Sequence, residues 1–103
     1  MKRILLLSLM LLSLSVNSLF AEVIKGQKMY KKYLQPQCKN MSGSDFAAKH
    51  SQDEWEEIYD AGELNSEIKK VCNGKTLNEK LLPHIYDFVY EYANDSAKVP
   101  SQK

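Results

Sequence analysis

The sequence predicts a small all-α domain, a bundle of three to four helices, and three observations carry that prediction. Apolar residues recur at i, i+3 and i+4 in successive segments, two Ser/Thr-x-x-Glu boxes mark helix starts, and no alternating pattern runs long enough for a strand. Along residues 23–34, Val23, Gln27, Tyr30 and Leu34 share one helical face, with Ile24 and Tyr33 beside them. Lys25, Lys28, Lys31 and Lys32 take the other positions. Pro36 should end this helix by biasing Gln35 away from helical geometry. Gly26 weakens a helix interior, which signals the close approach of another helix backbone.

Residues 35–44 collect Pro36, Asn40, Ser42, Gly43 and Ser44 around Cys38 and read as a loop, with a short turn over 45–50. Ser51 and Glu54 then form a capping box, and Trp55, Ile58 and Tyr59 define a buried face as far as Ala61-Gly62. The opposite face carries Asp53, Glu54, Glu56, Glu57 and Asp60 and reads as a solvated surface. Leu64, Ile68, Val71 and Cys72 continue the helical period until Asn73-Gly74 stops it. Thr76 and Glu79 form the second capping box, which should open the last helix, with Pro83 bending or restarting it. Beyond Pro83, Ile85, Phe88, Val89 and Tyr92 make an apolar stripe flanked by Tyr86 and Tyr90.

The N-terminus has the build of a cleavable secretory signal. Lys2 and Arg3 precede an apolar run over 4–14 broken only by Ser8 and Ser13, and Ala21 supplies the small residue before the cleavage point. A retained membrane anchor is the competing reading, but residues 4–20 are short for a span and contain four serines and an asparagine. The expected organisation is a signal peptide over 1–21, a helical domain over 22–95 and a flexible tail over 96–103, in the periplasm or outside the cell. Loss of Lys2 and Arg3 leaves 12 basic against 13 acidic residues, a net charge near −1 that gives nucleic acid no electrostatic footprint.

The 82 residues after the signal suffice for one domain with a modest core, and cores of that size commonly need a staple. Cys38 and Cys72, the two cysteines of the chain, are expected to form one intramolecular disulfide in an oxidising compartment. Free thiols with mixed partners, or redox catalysis, are the alternatives. A separation of 34 positions and the lack of a Cys-x-x-Cys pair weaken the last.

A glycine-containing first helix, a cysteine loop after it, a tryptophan helix and an aromatic last helix together resemble the small class I c-type cytochromes, over nearly the whole mature chain. The resemblance implies a cytochrome-c-like bundle whose first and last helices cross, with Gly26 and Tyr30 meeting Phe88, Val89 and Tyr92. Where that family carries Cys-x-x-Cys-His, often followed by glycine, this chain reads Cys38-Lys39-Asn40-Met41-Ser42-Gly43. Met41 stands in place of the second cysteine and Ser42 in place of the histidine. Methionine cannot form the haem thioether, and a serine hydroxyl is a poor iron ligand. The chain therefore reads as a degenerate member without covalent haem, in which Cys38 is released to pair with Cys72. His50 and His84 are the remaining candidate ligands for haem held non-covalently, with Met29 and Met41 as axial candidates.

No triad spacing, Gly-rich phosphate loop, His-Glu-x-x-His pattern or complete metal motif is present, so no catalytic residue is expected. Six tyrosines exceed the need of a small core and suit a protein interface, although core-edge positions would use them equally well. The expected function is that of an exported, non-catalytic accessory or binding protein with a protein partner, no cofactor and no stable membrane span after cleavage. The alternative is a periplasmic electron-transfer protein holding haem non-covalently.

Overall fold

The computed structural model describes residues 21–96, and all of the regular structure among them is helical. The expected signal peptide, apart from Ala21, and the residues after Ser96 lie outside the described residues. Helix α1 covers residues 21–29, α2 Gly43–Ala47, α3 Gln52–Asp60, α4 Leu64–Val71 and α5 Leu82–Glu91. Among the described residues no helix is long and apolar enough to cross a membrane.

The stripe read from the first segment is the buried one. Val23, Gln27, Tyr30 and Leu34 are buried, while Lys25, Lys28, Lys31 and Lys32 are exposed. Its end differs from expectation. The chain stays helical through a π-helical turn at Tyr30–Leu34 and a 3-10 turn at Gln35–Gln37, and Gln35 keeps helical angles, φ −53° and ψ −44°, directly before Pro36. In an α-helix the Pro36 ring would strike a carbonyl one turn back. The wider π turn, in which the Gln35 N–H donates to the Tyr30 carbonyl, shifts those carbonyls by one position and accommodates the ring.

Helix α2 occupies what the sequence presents as loop and turn. Ser42 is its N-cap, with its hydroxyl accepting from the Asp45 N–H at 3.1 Å. The Ser51 capping box of α3 forms as expected: Ser51 Oγ accepts from the Glu54 N–H, and Glu54 Oε1 accepts from the Ser51 N–H at 3.0 Å. Helix α3 ends where Gly62 takes φ +71° and the Glu63 N–H reaches the Ile58 carbonyl. Helix α4 ends likewise, with Asn73 at φ +58° and the Gly74 N–H donating to Lys69.

The second capping box does not form. The backbone N–H and C=O of Leu77 are both held by the Asn65 side chain, at 2.9 and 2.8 Å, so residues 75–78 are drawn out of helical geometry. Asn78 caps a 3-10 turn at Glu79–Leu81 instead, and α5 then starts at Leu82 with Pro83 in its first turn, where its missing N–H is harmless. Asp95 and Ser96, at the polar end of the chain, are engaged: Asp95 accepts from the Gln52 N–H at the start of α3, and Ser96 donates to the Glu91 carbonyl.

Helix α5 is the central element, with α3 and α2 packed against it and α1 crossing it. The crossing depends on Gly26. A Cβ there would collide with the His84 carbonyl oxygen and press on the Phe88 Cβ. Tyr30, Phe46, Trp55, Phe88, Ile85, Val89, Leu34, Leu64 and Ile68 fill the interior, and the Cys38–Cys72 disulfide closes one side of it. Both sulfurs are fully buried, joining the end of the first helical run to the end of α4.

Candidate functional site

The 38–43 loop is built from backbone hydrogen bonds and one buried phenol. The N–H groups of Cys38 and Asn40 both donate to the Gln35 carbonyl, and Met41 N–H donates to Cys38. Lys39 and Asn40 adopt left-handed angles, φ +56° and +59°, a conformation natural to asparagine and costly for lysine. Tyr30 reaches across from the first helical run and donates its hydroxyl to the Met41 carbonyl at 2.7 Å. Burial, with the charge of Asp45 adding to it, holds the Tyr30 hydroxyl protonated far above its ordinary range. Met41 packs against the core, Ser42 caps α2, and Gly43 is buried where a Cβ would lie 2.7 Å from the Phe88 ring.

That ring belongs to an aromatic plug. Tyr30 lies between Phe46 and Phe88, with centroids 5.2 and 5.8 Å apart, and Phe46 stacks on Trp55 at 5.6 Å. All four rings are fully buried, and Trp55 Nε1 donates to the Ala47 carbonyl at 2.9 Å. These four side chains close-pack the interior beside the 38–43 loop.

The two histidines do not converge. His50 lies before α3, its carbonyl accepting from the Asn94 N–H beyond the C-terminal end of α5, whereas His84 lies in the first turn of α5. From His84 to Glu91 alone, α5 covers about 10 Å at 1.5 Å per residue. His50 stands edge-on to Trp55 at 4.7 Å, and its ring nitrogens face Glu54 at 3.3 Å and Glu67 at 2.7 Å. The Ser51 N–H and then His50 hold the Glu54 carboxyl below its ordinary range. His84 faces Glu22 of α1, with Asp87 one turn further along α5. Met29 packs against the core from α1, as Met41 does from the loop.

Three of the remaining tyrosines, all half-buried, cluster on and beside α3. Tyr59 and Tyr86 stack nearly parallel, with centroids 4.2 Å apart and a 6° interplanar angle, and Tyr90 lies 5.7 Å beyond Tyr86. Partial burial, reinforced by the charge of Glu56, raises the Tyr86 hydroxyl above its ordinary value. Next to this stack, Asp53, Glu56, Glu57 and Asp60 make an exposed acidic face of α3. Along the first helical run the lysines face solvent, and in its π turn Lys32 lies over the ring of the exposed Tyr33.

Three residues with defined structural roles escaped sequence reasoning. Ser42 heads the pattern Ser-x-x-Asp, a readable cap signal masked by the resemblance to a haem motif. Asn65 carried no signal, because its partner Leu77 is 12 residues away and apolar. Tyr30 read as a core residue, and its hydroxyl partner is a backbone carbonyl that no side-chain pattern reports. The chain was compared with family models, curated proteins and solved structures, and none matches.

Proposed function

We propose that this chain is an exported, non-catalytic accessory or binding protein on a haem-free cytochrome-c-like fold, acting in the periplasm or outside the cell. The observation that carries the reading is the aromatic plug beside the 38–43 loop: Tyr30, Phe46, Trp55 and Phe88 pack against one another in the interior, and Tyr30 ties down the Met41 carbonyl. The buried disulfide supports an oxidising compartment, where such a bond persists. With its interior filled, the molecule has its surface to work with. The Tyr59–Tyr86–Tyr90 stack beside Glu56 and Asp60 combines apolar area with negative charge, which suits a protein partner with a basic, partly apolar face.

Two measurements on protein isolated from its native compartment test the reading. Its absorption spectrum is expected to show no Soret band. Native affinity purification is expected to recover a specific partner, with recovery lost in a Glu56→Lys/Asp60→Lys variant. A Soret band at stoichiometric intensity restores the electron-transfer alternative. Recovery indifferent to the charge reversal, or no specific partner at all, overturns the proposed face.

A further inference from the structure

Among the described residues two buried polar side-chain atoms have no hydrogen-bond partner, Gln27 Nε2 on α1 and His84 Nδ1 on α5. Nδ1 of His84 is buried from solvent and makes no hydrogen bond, although the side chain as a whole retains 22% of its exposure. A buried imidazole nitrogen without a partner calls for an explanation, because desolvating such a group costs free energy that nothing here offsets. Two carboxylates lie near the His84 ring. Glu22 Oε2 is 3.9 Å from Nδ1, and donor atoms of Glu22, His84 and Asp87 all lie within 4.8 Å of one another.

The 3.9 Å spacing is too long for a hydrogen bond, which ends near about 3.2 Å, and fits either an ion pair or two ligands of a shared ion. Two bonds of about 2.1 Å to a shared ion place their donors between about 3.3 and 4.2 Å apart, from tetrahedral to opposed geometry. We propose that Glu22, His84 and Asp87 form a binding site for a divalent first-row transition-metal ion of the Zn2+ type.

The backbone presents the ligands for this purpose. His84 and Asp87 are i and i+3 on α5 and share a face. Glu22 lies one turn before Gly26 on α1, and the contact of Gly26 with the His84 carbonyl brings that turn against α5. All three ligands are half-buried, so water reaches the open coordination position. One imidazole with two carboxylates favours Zn2+ and its neighbours over Mg2+ or Ca2+, and Cu2+ should bind tightest. His50 is the contrast, because each of its nitrogens already meets a carboxylate. The cleavage expected after Ala21 leaves Glu22 at the start of the mature chain, so an ion here also anchors an end that would otherwise fray.

Calorimetric titration of the purified, disulfide-bonded protein with ZnCl2 alone tests the site. One equivalent is expected to bind, with His84→Ala, Glu22→Gln and Asp87→Asn each weakening affinity at least about tenfold and His50→Ala leaving it unchanged. Loading with Cu2+ should give a paramagnetic resonance spectrum with a single imidazole nitrogen, lost in His84→Ala. Glu22→Gln is isosteric and lies on the outer turn of α1, so it keeps the test decisive if His84→Ala destabilises the fold. No saturable binding, or Zn2+ affinity unaffected by Glu22→Gln and His84→Ala, reduces the cluster to an ordinary ion pair and overturns the proposal. Loss of binding in His50→Ala moves the site elsewhere and overturns it equally.

Discussion

At Tyr30 one side chain joins the core to the loop, because its ring packs between Phe46 and Phe88 while its hydroxyl satisfies the Met41 carbonyl. Tyr30→Phe keeps the ring and leaves that carbonyl unpaired, so urea denaturation should show a loss of about 1–2 kcal/mol. The pH dependence follows from the raised ionisation of the phenol. Unfolded, Tyr30 loses its proton near pH 10, whereas folded it retains it, so its contribution is whole below about pH 10 and is lost as pH rises above that. The stability advantage of the native chain over Tyr30→Phe is therefore expected to shrink between pH 9 and pH 11. Glu54 behaves in the opposite sense. Its carboxyl is depressed by the Ser51 N–H first and His50 second, so the capping box is intact above the ordinary carboxylate range and is lost as pH falls through it. Ser51 and Glu54 were legible because both partners are in sequence, three positions apart. The Tyr30 bond was not, because its acceptor is a backbone atom 11 residues away.

Among the elements, α1 and the 75–78 segment are each decided by one small side chain. Gly26 permits the crossing of α1 over α5, and Gly26→Ala forces a methyl into the His84 carbonyl. The helix axes must then separate, with an expected loss of about 3 kcal/mol or more in thermal or urea unfolding. If Gly26→Ala is tolerated or stabilising, the helices do not approach as described. Asn65 holds Leu77 by two hydrogen bonds, so Asn65→Ala is expected to cost about 2 kcal/mol and to speed amide exchange at Leu77 specifically. The helical faces of 23–34, α3 and α5 were legible in their periodicity, as was the stop at Asn73-Gly74. The capping box at Thr76 was not, since a distant asparagine claims the same stretch of backbone.

For the whole molecule, the disulfide and the aromatic plug share the task of stabilising a small core. Closing a loop across 34 positions stabilises the fold by about 4 kcal/mol in the chain-entropy model. Denaturant unfolding of the Cys38→Ala/Cys72→Ala variant should show a loss of that order. A loss below about 1 kcal/mol would mean that packing alone holds the end of the first helical run to α4. Both sulfurs are fully buried, so in the folded protein no thiolate reaches the bond for exchange. The sequence by itself determined the helical class, the faces the helices bury, the crossing marked by Gly26 and the pairing of the two cysteines. These depend on period, residue size and count, which a linear pattern records. Tertiary structure alone decided that Ser42 caps a helix, that four rings fill the space beside the 38–43 loop, and that His50 and His84 stand at opposite ends of α5. It alone set Glu22, 62 positions from His84, beside that histidine and Asp87. Each of these depends on where a side chain lies once the chain has crossed itself, and no spacing along the sequence encodes that distance.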